Sequence, residues 1–143
     1  MIERISSYNS VKYVALAWKM LLAFIFLVSG VQKLLYPYDF LSAVCTYEIM
    51  GPTYCVFTAA VLPWVELFVG FAILGNIFPY GSLFIALSLT VIFLAAQMSV
   101  IIRSLNITCG CFGPTHSGLI GYSTLLRTGC LFLLTVALYL AEI

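Results

Sequence analysis

Two cysteines separated by a single glycine, Cys109 and Cys111, are the residues of this sequence best suited to chemistry. Gly110 and Gly113 allow a tight backbone turn, and Pro114 prevents a helix from continuing. The spacing therefore predicts a thiol pair on a sharp turn between two apolar segments. Such a pair can close a small, strained disulfide of the labile, oxidising kind, or it can bind a soft metal ion.

The remaining cysteines and the only histidine leave several readings open. Cys45 and Cys55 border apolar segments, so they act either as small hydrophobic residues or as a second pair that relays electrons to the first. Cys130 lies within an apolar segment, where we expect it to serve packing. His116 is either a third ligand for a soft metal or a loop histidine without a role. Because five cysteines is an odd count, at least one thiol stays free or pairs outside the chain.

The composition indicates an integral membrane protein. Of the 143 residues, 64% are hydrophobic and 8% are charged, and the mean hydropathy is +1.15. Soluble domains have about 25% charged residues and about 45–50% apolar residues. The length permits one domain, residues 1–143, and the absence of a basic run argues against nucleic acid as a partner.

Four apolar segments are each long enough to cross a bilayer, which takes about 20 residues. They cover approximately residues 13–35, 56–78, 82–102 and 119–143. Short connections make sequential helices antiparallel neighbours. We therefore predict an all-α fold, an antiparallel four-helix bundle that spans the membrane.

The order of the spans places the first and third connections on the same side of the membrane. Cys45, Cys55 and the Cys-Gly-Cys pair then share that side. Arg4 and Lys12 lie near the opposite side, and the positive-inside rule places that side in the cytoplasm. The cysteine loops are thus expected to face outward, where disulfides persist.

Charged residues inside the spans predict a polar pocket beneath the cysteine loops. Glu66 and Arg127 enter their spans from this side, and an ionisable group at such depth usually has a partner inside the bundle. We expect them to pair, with Lys33, Gln97 and Arg103 nearby. One glutamate among three cations would give a positive pocket, suited to an anion or a carbonyl-bearing head group. Alternatively, the ion pair only fixes the register of the helices.

These residues resemble a family pattern that extends over nearly the whole chain. It is the MauE group (methylamine-utilisation protein E) of the DoxX-like membrane proteins. The Pro-Trp-x-Glu and Cys-Gly-Cys-Phe-Gly motifs together make the resemblance specific. The residues that carry it are Ser29, Gly30, Lys33, Pro37, Phe40, Tyr47, Leu62, Pro63, Trp64, Glu66, Gly70, the segment 109–113 and Arg127.

The resemblance implies a four-helix protein of the bacterial inner membrane whose cysteine loops face the periplasm. It also implies thiol–disulfide chemistry on that side, because MauE is linked to the maturation of a disulfide-rich periplasmic subunit. Relatives in the wider group are tied to quinone chemistry. A quinone is therefore a candidate electron acceptor, and an extracytoplasmic thiol protein is a candidate partner. Cys45 and Cys55 lie outside the family motif.

Three hypotheses follow for the function. In the first, Cys109 and Cys111 alternate between dithiol and disulfide and exchange with an extracytoplasmic protein. In the second, the chain is a small structural or accessory subunit of a larger membrane complex, with a fixed disulfide and no catalysis of its own. In the third, Cys109, Cys111 and His116 handle a soft metal.

Overall fold

In a computed structural model, residues 2–46, 48, 51–103 and 122–143 are described, with side chains from residue 8 onward and from residue 125 in the last segment. These residues form five helices and no strand. The helices are α1 (Ile2–Leu35), α2 (Pro37–Thr46), α3 (Pro52–Leu74), α4 (Pro79–Ile102) and α5 (Tyr122–Glu142). The predicted all-α class is confirmed.

Prolines mark the beginnings of three helices. Pro37, Pro52 and Pro79 are the first residues of α2, α3 and α4, where the missing N–H of proline has no helical partner to lose. At Pro37 the helical ladder is interrupted only briefly. The Tyr36 N–H still donates to the Gln32 carbonyl at 3.0 Å, and the Phe40 N–H donates to the Tyr36 carbonyl at 3.2 Å. The chain therefore continues from α1 into α2 with no intervening loop.

The four long helices form a ring in which α1 packs on α3, α3 on α4, α4 on α5, and α5 on α1. The short helix α2 packs on α3. Two glycines permit the close approach of α1 and α3. A Cβ atom added to Gly30 would lie 2.9 Å from the Leu67 side chain, and one added to Gly70 would lie 2.8 Å from Leu27. Small residues at such contacts are typical of helix packing in membranes.

The buried core lies at the centre of this ring and is contributed by all four long helices. Its members are Leu22, Ala23, Phe26, Val69, Ile73, Leu83, Ala86, Leu89 and Leu138. The outward faces are also apolar, with exposed side chains such as Phe24, Phe68, Phe84 and Leu133. Helices α1, α3, α4 and α5 each contain a stretch long and apolar enough to cross a membrane. The chain is thus a multi-pass membrane protein, and lipid contacts its outer surface.

Candidate functional site

A buried ion pair joins α1 to α3. The Lys33 ammonium lies 2.6 Å from Oε1 and 2.7 Å from Oε2 of Glu66. Only 2% of Lys33 and 1% of Glu66 is exposed, so both charges are removed from lipid and from water. Such a pair is tolerated only when further hydrogen bonds satisfy the remaining protons and lone pairs.

Ser29 supplies those additional bonds. Lys33 donates to the Ser29 hydroxyl at 2.7 Å, and this hydroxyl donates to Glu66 Oε2 at 3.2 Å. Ser29 and Lys33 are four residues apart on α1 and therefore lie on the same helical face. An ammonium group has three protons, and here three oxygen atoms accept from it. The three side chains form a closed triad.

Two aromatic rings enclose the ammonium group. The Lys33 nitrogen lies 5.3 Å from the centre of the Phe40 ring on α2 and 5.1 Å from that of the Phe93 ring on α4. Both distances are within the range of cation–π attraction. Phe40 is buried, so α2 covers the ion pair from the end of the bundle where α1 terminates.

A disulfide holds α2 in this position. Cys45 of α2 is bonded to Cys55 of α3, and their Cα atoms are 5.2 Å apart. The two open readings of these cysteines are small hydrophobic residues or a second pair that relays electrons, and the structure shows them bonded to each other; the relay itself stays a prediction. The bond connects the helix that carries Phe40 to the helix that carries Glu66.

A cavity of about 60 Å³ adjoins the ion pair. Its polar lining includes Thr90 and Gln97 from α4 and Thr128 from α5, in addition to the triad. The Gln97 amide donates to the Thr128 hydroxyl at 3.0 Å. The Thr90 hydroxyl donates to backbone carbonyl oxygens of its own helix. The remaining lining residues are apolar or aromatic: Ile25, Phe26, Phe93 and Leu131.

The expected pairing of Glu66 with Arg127 is wrong, because the partner of Glu66 is Lys33. Helices α1 and α3 are in close contact, whereas α5 packs on α4 and α1. Arg127 is exposed and lines a groove on the outer side of α5, and Arg103 is exposed at the end of α4. Neither arginine lines the cavity, whose described charges are one cation and one anion. The expectation of a positive pocket is therefore wrong for the described lining, which is electroneutral.

Cys130 also differs from expectation, since it is a free, exposed thiol and not a packing residue. It lines the same outer groove as Arg127. Cys109, Cys111 and His116 lie in residues 104–121, outside the described part of the chain. The segment connects α4 to α5, and these helices meet through Gln97 and Thr128, close to the residues where the segment begins and ends.

The arrangement combines a proton donor, a carboxylate and a hydroxyl beside a small cavity. Such a set can hold a polar head group through hydrogen bonds and can exchange protons with it. In residues 2–46, 48, 51–103 and 122–143, no three His, Cys, Asp or Glu side chains come together.

Lys33, Glu66 and Gln97 are recognisable in the sequence as members of a polar pocket, whereas their aromatic and hydroxyl neighbours are not. Phe93 and Thr128 have no distinguishing sequence signal, because each is one residue among many in an apolar helix. Ser29 does have a signal, since its spacing of four residues from Lys33 places both on the same face of α1.

The chain matches the model of the family described as methylamine utilisation protein MauE over residues 11–141. The matched range includes the triad, the disulfide and the Cys-Gly-Cys segment. Comparisons with curated proteins and with solved structures gave no match.

Proposed function

Since this chain belongs to the MauE family, we propose that it carries out thiol–disulfide exchange at the end of the bundle that holds its cysteines. The observation that carries the proposal is the disulfide between Cys45 and Cys55. It stands at the end of the bundle where α4 leads into the segment with Cys109 and Cys111. In this proposal Cys109 and Cys111 lie at the same end, and two cysteine pairs there are suited to receiving electrons from outside the bilayer.

The proposed exchange begins at the disulfide form of Cys109 and Cys111. A thiolate of an extracytoplasmic protein attacks one of the two sulfurs, releases the other as a thiolate and forms a mixed disulfide. The second thiolate of that protein then attacks its own sulfur in the mixed disulfide and releases the remaining cysteine of the pair as a thiolate. The partner leaves with a new disulfide, and Cys109 and Cys111 become a dithiol. Their two electrons pass to the Cys45–Cys55 disulfide by a second exchange and from the resulting dithiol to a quinone, or they pass directly to the quinone. In either case the disulfide is restored, and the quinone takes two electrons and two protons to become a quinol.

The buried triad supports a quinone as the acceptor. If the bond from Lys33 to the Ser29 hydroxyl opens, that proton of Lys33 becomes available to a carbonyl oxygen, and the Glu66 carboxylate can accept and return a proton. The pair is electroneutral, which suits a neutral carbonyl head group better than an anion. Because α2 carries both Phe40 and Cys45, a redox event at the disulfide would occur on the element that covers the triad.

The proposed location is the bacterial inner membrane, with the cysteines on the periplasmic side. Arg4 and Lys12 support a cytoplasmic N-terminus. An impermeant thiol reagent applied to spheroplasts after mild reduction should therefore label Cys109 or Cys111. Labelling only after lysis would reverse the orientation and remove the oxidising compartment that the exchange needs.

Substitution of each loop cysteine tests the exchange itself. Cys109→Ser and Cys111→Ser should both abolish oxidation of the partner, and one of them should accumulate a disulfide-linked adduct that reductant dissolves. The remaining thiol can attack a partner but lacks the neighbour that would release it. Cys130→Ser is the matched control, because this free thiol lies on the outer surface. Two fully active loop variants without an adduct would contradict the proposal.

A structural or accessory subunit is the second candidate. It is favoured by the complete hydrogen bonding of Lys33 and Glu66, since a closed, neutral pair can serve helix register alone. Thiol trapping in membranes distinguishes the two. A redox protein shows both oxidised and reduced forms and a mixed disulfide, whereas a structural subunit shows one fixed oxidised form and co-purifies with a larger complex.

A further inference from the structure

A groove of about 850 Å³ runs between α1 and α5 on the outer surface of the bundle. Trp18, Leu21 and Ile25 line it from α1, and the lining from α5 is Arg127, Cys130, Leu131, Leu133 and Leu134. Most of this lining is apolar and several of its side chains are exposed. The groove is therefore open to the hydrocarbon of the bilayer, and its volume is that of a site for a small organic ligand.

The groove and the inner cavity have a common wall. Ile25 and Leu131 are the two residues that line both. Both are partly exposed, and neither is one of the buried residues of the core cluster, although Leu131 packs against its edge. Side chains of this kind change rotamer rapidly compared with backbone motions. A rotamer change of these two residues would connect the bilayer to the triad without displacement of a helix.

The chemistry of the two spaces defines the molecule that could use such a path. The groove offers an apolar channel for a tail, and the cavity places the polar side chains of Lys33, Gln97 and Thr128 beside a head group, which would exchange hydrogen bonds with those that they already make. A phosphate head group fits poorly, since the Glu66 carboxylate would repel it and Lys33 is already neutralised. A neutral head group with carbonyl oxygens meets no such penalty.

We propose that the α1–α5 groove is the lateral entrance by which a quinone-type lipid reaches the triad from the bilayer, with Ile25 and Leu131 as its gate. The inference rests on the proposed function for the identity of the head group. The cavity of about 60 Å³ is too small for a quinone ring with the gate closed. The ring therefore enters by merging the two spaces, while its tail remains in the groove.

The two tryptophans of the chain provide a direct test. Trp18 lines the groove, whereas Trp64 of α3 is 64% exposed and does not line it. In nanodiscs, decyl-ubiquinone should quench Trp18 in the Trp64→Phe variant with a saturable dependence on concentration. In the Trp18→Phe variant, quenching of Trp64 should be weak and linear, as expected for free diffusion in lipid. Equal, non-saturable quenching of both would mean that the groove holds only ordinary lipid, and the proposal would be wrong.

Substitutions that change the size of the gate side chains test the gate, and each is combined with Trp64→Phe. Leu131→Phe should weaken saturable quenching about tenfold, because overpacking opposes opening of the gate. Leu126→Phe is the matched control, since Leu126 is an exposed leucine of the same helix that lines neither the groove nor the cavity, and its quenching should stay close to that of the parent. Ile25→Ala removes bulk from the gate and should accelerate the approach to equilibrium. Equal effects of Leu131→Phe and Leu126→Phe, or no acceleration by Ile25→Ala, would exclude a gate at these residues.

Failure of this inference can be told apart from failure of the thiol proposal. A Cys109→Ser, Cys111→Ser double variant should still show saturable quenching of Trp18, because binding does not require the thiols. If the native chain oxidises its partner but shows no saturable quenching, the entrance is refuted and thiol exchange stands. If quenching is saturable but no thiol exchange occurs, the entrance stands and the thiol proposal is refuted.

Discussion

Removal of one member of the Lys33–Glu66 pair should destabilise the bundle far more than removal of both. The two charges attract each other by roughly 6 kcal/mol at 2.6 Å, if an effective dielectric constant of about 20 is used. Desolvation costs several kcal/mol for each ion and offsets most of this attraction. Each single variant loses the attraction and retains the desolvation of the remaining charge.

We therefore expect Glu66→Leu to cost about 3–5 kcal/mol in free energy of unfolding. Lys33→Met should cost at least as much. The reason is that Lys33 lies in the last turn of α1, where its long side chain can extend toward the head groups when Glu66 is absent. Glu66 lies in the interior of α3 and has no such route to water. The double variant should fall within about 2 kcal/mol of the parent.

The measurement is a double-mutant cycle by reversible unfolding in mixed micelles, with helicity as the readout. The Lys19–Glu142 pair is the matched control, since its side chains retain 14% and 25% exposure. Its coupling energy should be about 0–1 kcal/mol. A coupling energy below about 1 kcal/mol for Lys33 and Glu66 would refute the reasoning. A folded double variant that no longer oxidises its partner would assign the pair to a site as well.

Three further predictions concern the elements around the triad. Replacement of Cys45 and Cys55 by alanine should lower the free energy of unfolding by about 2–3 kcal/mol, because the ten-residue separation closes a short loop. Thermal unfolding with and without reductant measures this in a Cys109→Ser, Cys111→Ser background, so that only the Cys45–Cys55 bond can be reduced; a reductant effect that persists after the alanine replacements would contradict it. Phe40→Ala should cost about 3 kcal/mol in the same assay, since the ring is only 3% exposed, and a neutral effect would mean that α2 does not cover the triad. Gly70→Ala should lower the free energy of unfolding by about 1–3 kcal/mol, because its Cβ would lie 2.8 Å from Leu27. Gly129→Ala is the control and should be neutral or slightly stabilising, since a Cβ there meets no atom within 4 Å. Similar effects at both glycines would argue against close contact of α1 and α3.

Composition and residue type determined the class of this protein. A chain with 64% hydrophobic residues and few charges can be stable only in lipid, and in lipid the backbone must be satisfied within helices or closed barrels. Four long apolar segments then predict four long helices. Prolines at residues 37, 52 and 79 lie where helices begin, because proline is tolerated in the first turn and disfavoured later. The cost of burying a charge likewise identified Lys33 and Glu66 as members of a polar site from residue type and position alone.

The choice of partners depended on tertiary structure. Apolar residues are distributed around helices α3 and α4, which carry only a few polar residues such as Glu66 and Gln97, so hydrophobic periodicity does not indicate which face turns inward. The contact of α1 with α3 at Gly30 and Gly70 brings Lys33, and not Arg127, to Glu66. The return of α2 along α3 joins Cys45 to Cys55, and the crossing of α1 and α5 leaves the outer groove. These contacts join segments that are far apart in sequence. Residue types and local spacing therefore do not show which segments meet.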